Sequence, residues 1–370
     1  MNRYGGKFAK GTRMKIRETS GADPSPSAQD DTSVGEEFVN DIRMKILIVH
    51  HHPFELWHAP AWLRERLQKE FPRCRFVQLE DYNRVRGEIC DSEVFIGWSL
   101  RPEQLLAARK LRWIHSPAAA VHQLMFPELI QSDVIVTNST GVHGPVVAEH
   151  ALATLLALAK RLPQAMRYQA QKIWSQERLW KEHPRPREVD GATVVVIGMG
   201  SIGSEFARRA KSLGMKVLAV RENPDKGTGG ADRVVGQAQL DEVLPQADYV
   251  LLCTPVTPAT TGLINQARLR RMKRDASIIN VGRGPLVEEA ALVEALRERR
   301  IAGAALDVFD QEPLPESSPF WGLDNVLITP HTAAVTERLW ERHYQLIVEN
   351  LKRFLAGQPL LNGVDKKRGY

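Results

Sequence analysis

The sequence has few cysteines, and their placement excludes two common uses of this residue. Only Cys74, Cys90 and Cys253 occur in 370 residues, and they form neither a C-x-x-C pair nor a spacing typical of Cys/His metal ligands. We therefore expect no disulfide framework and no metal site. Free thiols of this kind are typical of a reducing cytoplasm, which is the expected location.

Long apolar runs are also missing. No stretch reaches the length of about 18 apolar residues that a membrane-spanning helix needs. The most apolar helical pattern, Ala151 to Ala159, is too short to cross a bilayer, and the N-terminal residues lack the apolar core of a signal peptide. We therefore expect no membrane partner.

Charge is not concentrated in blocks of one sign. The formal net charge is +6, but basic residues are interspersed with acidic ones and form no stripe interleaved with aromatic residues. A nucleic-acid partner is therefore not expected, and a mildly basic enzyme for anionic substrates is favoured. Hydrophobic residues make up 43% and charged residues 25%, which is ordinary for a globular chain whose 370 residues predict two domains.

Residues 1–43 are polar and show no sustained periodicity, so we expect a disordered N-terminal extension. From Met44 to about residue 140, short apolar runs alternate with helical patterns, which predicts an α/β unit with parallel strands. The predicted strands are Lys45–His50, Arg75–Leu79, Glu93–Gly97, Leu111–His115 and Asp133–Thr137, and the predicted helices are Ala61–Phe71 and Pro102–Arg109.

A second alternating set follows a pattern over about residues 146–169 that predicts one long helix. Strands separated by helical segments predict a doubly wound sheet. The six predicted strands are Thr193–Ile197, Lys216–Val220, Tyr249–Leu252, Ser277–Asn280, Ala302–Leu306 and Val326–Ile328. A final helix, predicted from Ala334 to Ala356, has no strand after it, so we expect it to return to the first unit.

One β-branched run ends in glycines spaced G-x-G-x-x-G, which are Gly198, Gly200 and Gly203. In this arrangement Gly198 allows a tight turn, Gly200 lets a pyrophosphate approach the backbone, and Gly203 lets the next helix pack closely. Free N–H groups at the helix start, at Ser201 and Ile202, then face the anion. The spacing alone is common in turns that bind nothing, but a strand before it and a helix after it predict dinucleotide binding.

Arg283 stands between two glycines directly after the predicted strand Ser277–Asn280. The carboxyl ends of strands in an open α/β sheet form the crevice where ligands bind. A guanidinium on glycine-flanked backbone suits bidentate binding of a carboxylate. Taken alone, however, this motif favours a surface arginine in a glycine turn.

Glu312 and His331 follow two further predicted strands. A carboxylate fixed before a proline could orient a histidine, but the sequence leaves this role and an ordinary acidic loop equally open. A histidine at a helix start is in isolation more often a capping or packing residue. With Arg283 and Glu312 on neighbouring strand ends, a general acid is favoured for His331.

Four segments together resemble the D-isomer-specific 2-hydroxyacid dehydrogenases, in particular members of the glyoxylate/hydroxypyruvate reductase type. The resemblance covers roughly Met44 to Tyr370. It is carried by Asn138–His150, the glycine turn, Cys253–Asn265 and the stretch from Asn280 through His331.

The resemblance implies roles for the matching residues. Arg283 would bind the substrate carboxylate and polarise the 2-keto oxygen, His331 would deliver the proton, and Glu312 would pair with His331. The hydride would come from the nicotinamide. Further cofactor contacts are implied for Thr254, Pro255, Val281 and, at the carboxamide, Asp307.

The resemblance also places a substrate-carboxylate loop in the first unit. Backbone amides of Ala118, Ala119 and Ala120 would hold the carboxylate. The family usually has glycine where Ala120 stands and an acidic residue where His122 stands, and this departure bears on substrate size and fit.

Cofactor choice depends on the residue after the second strand of the dinucleotide-binding set. NAD-preferring members of the family have an aspartate there, whereas this chain has Arg221. An arginine at this point pairs with a 2′-phosphate, so we expect NADP. Glu222 could accept hydrogen bonds from a 2′-hydroxyl, which leaves NAD as the alternative.

These observations predict two doubly wound domains of Rossmann and flavodoxin-like type, with the active site in the cleft between them. Residues 44–145 plus 334–370 would form the substrate-binding domain and residues 146–333 the dinucleotide-binding domain. The resemblance implies a homodimer.

The expected reaction is reduction of a small 2-keto acid to the D-2-hydroxy acid. One alternative is a dinucleotide-sensing regulatory protein on the same scaffold, although Arg283, Glu312 and His331 are intact. A second alternative is an enzyme that oxidises formate or phosphite.

Overall fold

Two parallel sheets organise the chain, and the computed structural model describes residues 44–367 and 369. The expectation for residues 1–43 lies outside the described residues. The strands are β1 (Met44–Val49), β2 (Cys74–Leu79), β3 (Val94–Gly97), β4 (Trp113–His115), β5 (Ile135–Thr137), β6 (Thr193–Ile197), β7 (Lys216–Val220), β8 (Arg233–Val235), β9 (Tyr249–Leu252), β10 (Ser277–Asn280), β11 (Gly303–Leu306) and β12 (Val326–Ile328).

Helices alternate with the strands along most of the chain. They are α1 (Ala61–Glu70), α2 (Val85–Glu88), α3 (Pro102–Ala107), α4 (Pro127–Gln131), α5 (Gly144–Ala159), α6 (Leu162–Ala170), α7 (Gln176–Lys181), α8 (Ser201–Ser212), α9 (Leu240–Val243), α10 (Gln266–Arg271), α11 (Glu289–Arg297) and α12 (Leu339–Leu355).

The first sheet has the order β2-β1-β3-β4-β5, and all its pairs are parallel. This is the flavodoxin-like order, with its switch point between β1 and β3. Ile46 and Ile48 enter one apolar cluster while Leu47 and Val49 enter another on the opposite face. Both faces are covered, which is why β1 is uniformly apolar from Ile46 to Val49, without polar alternation.

The last helix, α12, packs against the first sheet, as expected from the sequence. Trp340, Ile347 and Leu351 join the same cluster as Ile46 and Ile48. The helix begins at Leu339 and not at the predicted Ala334. The Thr336 hydroxyl accepts a hydrogen bond from the Arg338 amide, 3.3 Å away, and such a local bond favours a turn over a helix.

The second sheet has the order β12-β11-β10-β9-β6-β7-β8, again with parallel pairs. Counted from β6, this is the Rossmann order, and the strand order reverses between β6 and β9. The sheet has seven strands, so the prediction of six was wrong. The additional strand, Arg233–Val235, is a three-residue edge strand whose length is too short to give a periodic pattern.

The predicted long helix over residues 146–169 was also wrong, because the structure has two helices there. Helix α5 ends at Ala159, Arg161 adopts a left-handed conformation with φ of +55°, and α6 starts at Leu162. Pro163 explains the break, since its ring would clash with the carbonyl of Ala159 four residues earlier and it has no N–H to donate.

Within residues 44–367 and 369, no helix is long and apolar enough to cross a membrane. The same residues contain no group of three or more His, Cys, Asp or Glu side chains arranged to hold a metal ion.

Candidate active site

The glycine turn between β6 and α8 has the geometry that a bound pyrophosphate requires. Gly198 has a φ of +106°, and a Cβ there would lie 2.8 Å from the Cys253 carbonyl oxygen. A Cβ on Gly203 would collide with the Gly198 carbonyl, which is why the helix can approach the strand so closely. Gly200 instead faces open space, with no atom within 4 Å of a Cβ position.

Helix α8 begins at Ser201, with Gly200 as its N-cap. The amides of Ser201, Ile202 and Gly203 have no partner within the helix, because the first N–H groups of an α-helix lack acceptors. They are therefore free to bind an anion beside the open side of Gly200. These residues fit a dinucleotide pyrophosphate.

The other predicted cofactor residues converge on this turn. A Cβ on Gly198 would also touch the Thr254 amide, and one on Gly282 would lie 3.1 Å from the Thr254 carbonyl oxygen. Pro255 follows Thr254 at the end of β9, and Val281 follows β10 and donates its amide to the Leu252 carbonyl, 3.1 Å away. The structure thus brings these strand ends together next to the glycine turn.

Cys253 lies in this region but is not a nucleophile. Its thiol is 3.0 Å from the Gly198 carbonyl oxygen. Burial raises the pKa of Cys253 to about 12, so the thiol stays protonated at neutral pH.

Arg221 directly follows β7, where the ribose of a bound dinucleotide is read. Its Nη1 donates to the Gly227 carbonyl oxygen, 3.1 Å away, which tethers the guanidinium to the next loop. The remaining guanidinium N–H groups suit a phosphate. Glu222, the alternative ribose contact, is exposed on the same loop.

His331 and Glu312 form a direct pair. His331 Nδ1 lies 2.6 Å from Glu312 Oε2, and Glu312 Oε1 accepts the Phe309 amide at 3.0 Å. The carboxylate is therefore held at both oxygens, and it fixes the imidazole through Nδ1. About half of the His331 side chain, 49%, is exposed, so Nε2 is left for a substrate.

Arg283 lies on a rigid loop beside this pair. Asn280, which is buried, donates from Nδ2 to the Arg283 carbonyl at 2.9 Å and accepts the Gly282 amide at 3.0 Å. A Cβ on Gly284 would collide with the backbone of Phe309, so the arginine loop packs directly on the segment that carries Glu312. The Arg283 side chain is exposed, and its Nη1 donates to the Gly282 carbonyl at 2.7 Å.

Asp307 is buried and organises the loop that carries His331. Its Oδ1 accepts the Thr329 hydroxyl at 2.6 Å and the Thr332 amide at 2.9 Å, and its Oδ2 accepts the Ala333 amide at 3.0 Å. The resemblance gave Asp307 a cofactor contact. The structure adds that its carboxylate binds the residues on both sides of His331.

The predicted substrate loop follows β4 in the first sheet. Its carbonyls are turned toward the segment after β5: Ser139 Oγ donates to Ser116, the Ser139 amide to Ala118, and Asn138 Nδ2 to Ala119, at 2.8–3.1 Å. Within the described part of the chain, the amides of Ala119 and Ala120 donate no hydrogen bond. Two exposed alanines thus present free N–H groups that fit an anion.

The sequence alone assigned no role to Asn138, Ser139, Thr329 or His150. Asn138 and His150 were only the first and last residues of one segment that carried the resemblance. Each of the four acts through a hydrogen bond to a residue distant in the chain. No spacing rule would have revealed these pairs, because only the folded arrangement of strand ends creates them.

Ser139 also belongs to a buried polar network in the first sheet. Because its hydroxyl proton goes to the Ser116 carbonyl, Ser139 Oγ accepts from His115 Nε2 at 3.3 Å and from His343 Nδ1 at 3.2 Å. Burial lowers the pKa of His115 to about 3 and that of His343 well below its ordinary value. Both imidazoles are therefore neutral at physiological pH.

Carbonyl reduction needs a place for a nicotinamide, a proton donor and an anion binder. The switch point of the second sheet suits the first, and His331 after β12 and Arg283 after β10 are the candidates for the other two, with β11 between their strands. The fold and the site thus define an oxidoreductase that uses a nicotinamide dinucleotide.

Comparison with known proteins gives the family. The NAD-binding domain of the D-isomer specific 2-hydroxyacid dehydrogenases matches residues 152–333. Glyoxylate reductase of Korarchaeum cryptofilum is 34% identical over 328 residues, which cover 86% of this chain and 92% of that protein. The chain belongs to the D-isomer specific 2-hydroxyacid dehydrogenase family. It is an NAD(P)-dependent enzyme that interconverts a 2-keto acid and its 2-hydroxy acid.

Solved structures agree with this assignment. A family member from Xanthobacter autotrophicus in complex with NADPH and MES has a TM-score of 0.74 at 31% identity, covering 88% of this chain and all of that chain. An NADPH-dependent glyoxylate/hydroxypyruvate reductase from Sinorhizobium meliloti in complex with NADP and sulfate has a TM-score of 0.72 at 26% identity, with the same coverage. These relatives favour the enzyme over the dinucleotide-sensing alternative.

Proposed function

We propose that the protein reduces a small 2-keto acid, such as glyoxylate or hydroxypyruvate, to the D-2-hydroxy acid with NADPH. The observation that carries this proposal is the 2.6 Å pair of His331 and Glu312 beside the Arg283 loop. It joins a proton donor to an anion binder at one edge of the dinucleotide-binding sheet. The curated relative and the solved neighbour named above are reductases of this type.

A nicotinamide dinucleotide held by the glycine turn would supply a hydride to the carbonyl carbon. The residues of the chain do the rest. Arg283 binds the substrate carboxylate and stabilises the negative charge that grows on the 2-keto oxygen. Protonated His331 gives the proton on Nε2 to that oxygen, and Glu312 holds the imidazole through Nδ1 and balances its charge. The carbonyl carbon gains the hydride and the carbonyl oxygen gains the proton, which converts the keto group to a hydroxyl-bearing carbon.

For the cofactor, we propose that Gly198, Gly200, Ser201, Ile202 and Gly203 hold the pyrophosphate. Backbone around Thr254, Pro255 and Val281 would line the nicotinamide side, with Asp307 nearby. Arg221 would pair with the 2′-phosphate and so favour NADPH. The two solved neighbours contain NADPH or NADP, which supports this preference.

For the substrate, we propose that the free amides of Ala119 and Ala120, with Ala118 fixed behind them, hold the carboxylate together with Arg283. Residues 44–145 plus 334–370 would then form the substrate-binding domain, and residues 146–333 the dinucleotide-binding domain. The substrate would lie in the cleft between them, where closure excludes water.

We also propose a cytoplasmic homodimer. Free cysteines fit a reducing compartment. The segment formed by α6 and α7 exposes large apolar side chains, namely Leu162, Met166, Trp174 and Trp180. Exposed apolar groups of this size are typical of a surface that meets another protein.

The test is the decrease of nicotinamide absorbance when the purified protein meets NADPH or NADH with glyoxylate, hydroxypyruvate, pyruvate and bulkier 2-keto acids. We expect oxidation of NADPH with the smaller acids and formation of the D-enantiomer. Cofactor binding without turnover across this panel would refute the proposal. Turnover with only bulky 2-keto acids would refute the proposal of a small substrate but would still support reduction of a 2-keto acid.

A further inference from the structure

We propose that His150, on α5, is a positioning residue for His331 and acts through Thr329 and Asp307. His150 would thereby fix the proton donor assigned above, so this role depends on the proposed function. It extends that function to a second histidine on a helix that contributes no catalytic group.

The backbone of His331 needs external support. Its φ is +52°, a left-handed conformation that is costly for any residue with a side chain. The His331 amide donates to the Asp307 carbonyl at 2.9 Å, and the Asp307 carboxylate accepts the amides of Thr332 and Ala333. Asp307 therefore maintains the conformation that directs the imidazole toward Glu312.

Hydrogen-bond directions fix the role of Thr329. A carboxylate only accepts, so the Thr329 hydroxyl must donate its single proton to Asp307 Oδ1, at 2.6 Å. Thr329 Oγ1 is then free to accept, and His150 Nε2 lies 3.1 Å from it. His150 must therefore carry its proton on Nε2.

The carboxylate of Asp307 also acts on this N–H, through its charge. His150 Nε2 is 3.6 Å from Asp307 Oδ1, which is beyond hydrogen-bond distance, so the N–H donates to Thr329 Oγ1 and the carboxylate attracts it electrostatically. Burial lowers the pKa of His150, and the nearby Asp307 charge opposes this effect. A neutral imidazole with a proton on Nε2 satisfies both neighbours.

This arrangement links two parts of the chain. His150 lies on α5, which follows the first sheet and packs in the apolar cluster of the second sheet. Thr329 and Asp307 follow β12 and β11, and they flank the loop of His331. Without the His150 N–H, the Thr329 hydroxyl oxygen has no donor to accept from, and the Asp307 carboxylate loses a nearby positive hydrogen. The loop that carries His331 is then less restrained, and the His331 imidazole is less accurately placed.

The test compares matched variants at two positions. His150→Gln keeps an N–H donor near the position of Nε2, whereas His150→Leu removes it. Thr329→Ser keeps the hydroxyl, whereas Thr329→Val removes it. Thr154→Val is the control on α5, because the Thr154 hydroxyl donates only to backbone carbonyls of its own helix, those of His150 and Ala151.

Two measurements are made on each variant. The first is kcat and its pH profile, together with the KM for NADPH. We expect His150→Leu and Thr329→Val to lower kcat by about ten- to a hundredfold, the range for small misplacements of a reacting group. The KM for NADPH should change much less than kcat, because the glycine turn is not altered, and the Gln, Ser and Thr154→Val variants should retain most of the activity.

The second measurement does not require turnover. Amide hydrogen exchange of Thr332 and Ala333 reports the bonds to Asp307, and we expect faster exchange in the Leu and Val variants only. Equal exchange and equal kcat in Leu and Gln variants would overturn the proposal, as would a loss of activity that follows a general fall in melting temperature. Wild-type protein without turnover would instead refute the proposed function, while the exchange result would still decide the role of His150.

Discussion

Glu312 holds His331 from one side at 2.6 Å while Asp307 holds the backbone of His331 at 2.9 Å from the other. Two acidic residues thus fix the proposed proton donor in different ways, Glu312 through its carboxylate and Asp307 through its backbone carbonyl. Glu312 contacts the imidazole, whereas Asp307 is buried and contacts the loop. Glu312 therefore affects the charge and orientation of the imidazole, whereas Asp307 affects where the backbone places it.

Removing the imidazole tests the proton donor. His331→Ala should lower kcat by about a hundred- to ten-thousandfold, the usual contribution of a general acid. The dissociation constant of NADPH, measured by fluorescence titration, should stay close to the wild-type value. The proposed pyrophosphate site lies after β6, whereas His331 follows β12. Glu312→Gln should give a smaller loss, since it can still accept the Phe309 amide. Unchanged turnover in His331→Ala would show that another group is the acid.

The role of Arg221 can be tested by comparing the KM values for NADPH and NADH. Arg221→Ser should raise the KM for NADPH about ten- to a hundredfold, because one charged phosphate contact contributes roughly 1.4–2.8 kcal/mol. The KM for NADH should change little, and Arg221→Lys should lie between the two. Equal effects on NADPH and NADH would contradict a contact with the 2′-phosphate.

Two glycines in the same turn should respond differently to the same substitution. Gly203→Ala places a methyl group against the Gly198 carbonyl, so we expect a loss of about 2 kcal/mol or more in the free energy of unfolding. Gly200→Ala meets no atom within 4 Å, so the protein should fold normally but bind NADPH less tightly.

Urea unfolding and cofactor titration separate these outcomes. Gly87→Ala is the matched control, because a Cβ there also meets no atom within 4 Å and the residue lies in α2, outside the glycine turn. It should leave cofactor binding unchanged and should not lower the free energy of unfolding, since alanine is a better helix former than glycine. Tight cofactor binding by Gly200→Ala would indicate that the pyrophosphate does not approach this backbone.

Buried neutral histidines predict a loss of stability in mild acid. The pKa of His115 falls from 6.5 to about 3 on folding and that of His50 to about 4, mainly by burial. Below pH 6.5 the unfolded chain therefore binds protons that the folded chain does not, and stability decreases as pH falls toward 4. Each group contributes up to about 1.4 kcal/mol per pH unit in this window.

The measurement is the free energy of unfolding in urea between pH 7.5 and pH 4.5. The His115→Gln variant has no imidazole that takes up a proton at this position. It should therefore take up about one proton fewer on unfolding, and its stability should depend less steeply on pH than that of the wild type. His122→Gln, at an exposed position, should keep the wild-type slope. An unchanged slope in His115→Gln would mean that His115 does not titrate on unfolding.

Local patterns were sufficient for most of the fold because both sheets are covered on two faces. Ile46–Val49 in β1 and Val194–Ile197 in β6 are uninterrupted apolar runs, and each run can be recognised from its own stretch of sequence. The same local information failed at Arg161, where Pro163 ended a helix whose apolar pattern continued. Local information also failed to predict β8, because its three residues are recognisable as a strand only from their pairing with β7.

For the site, the sequence by itself determined which residue types follow each strand: the three glycines after β6, Arg221 after β7, Arg283 after β10 and His331 after β12. Their position at one edge follows from the parallel order of the sheet. Only the tertiary structure decided which donor meets which acceptor. The bonds of Glu312, Asp307, Thr329 and His150 join segments up to 179 positions apart, and their geometry depends on backbone packing that no local pattern encodes.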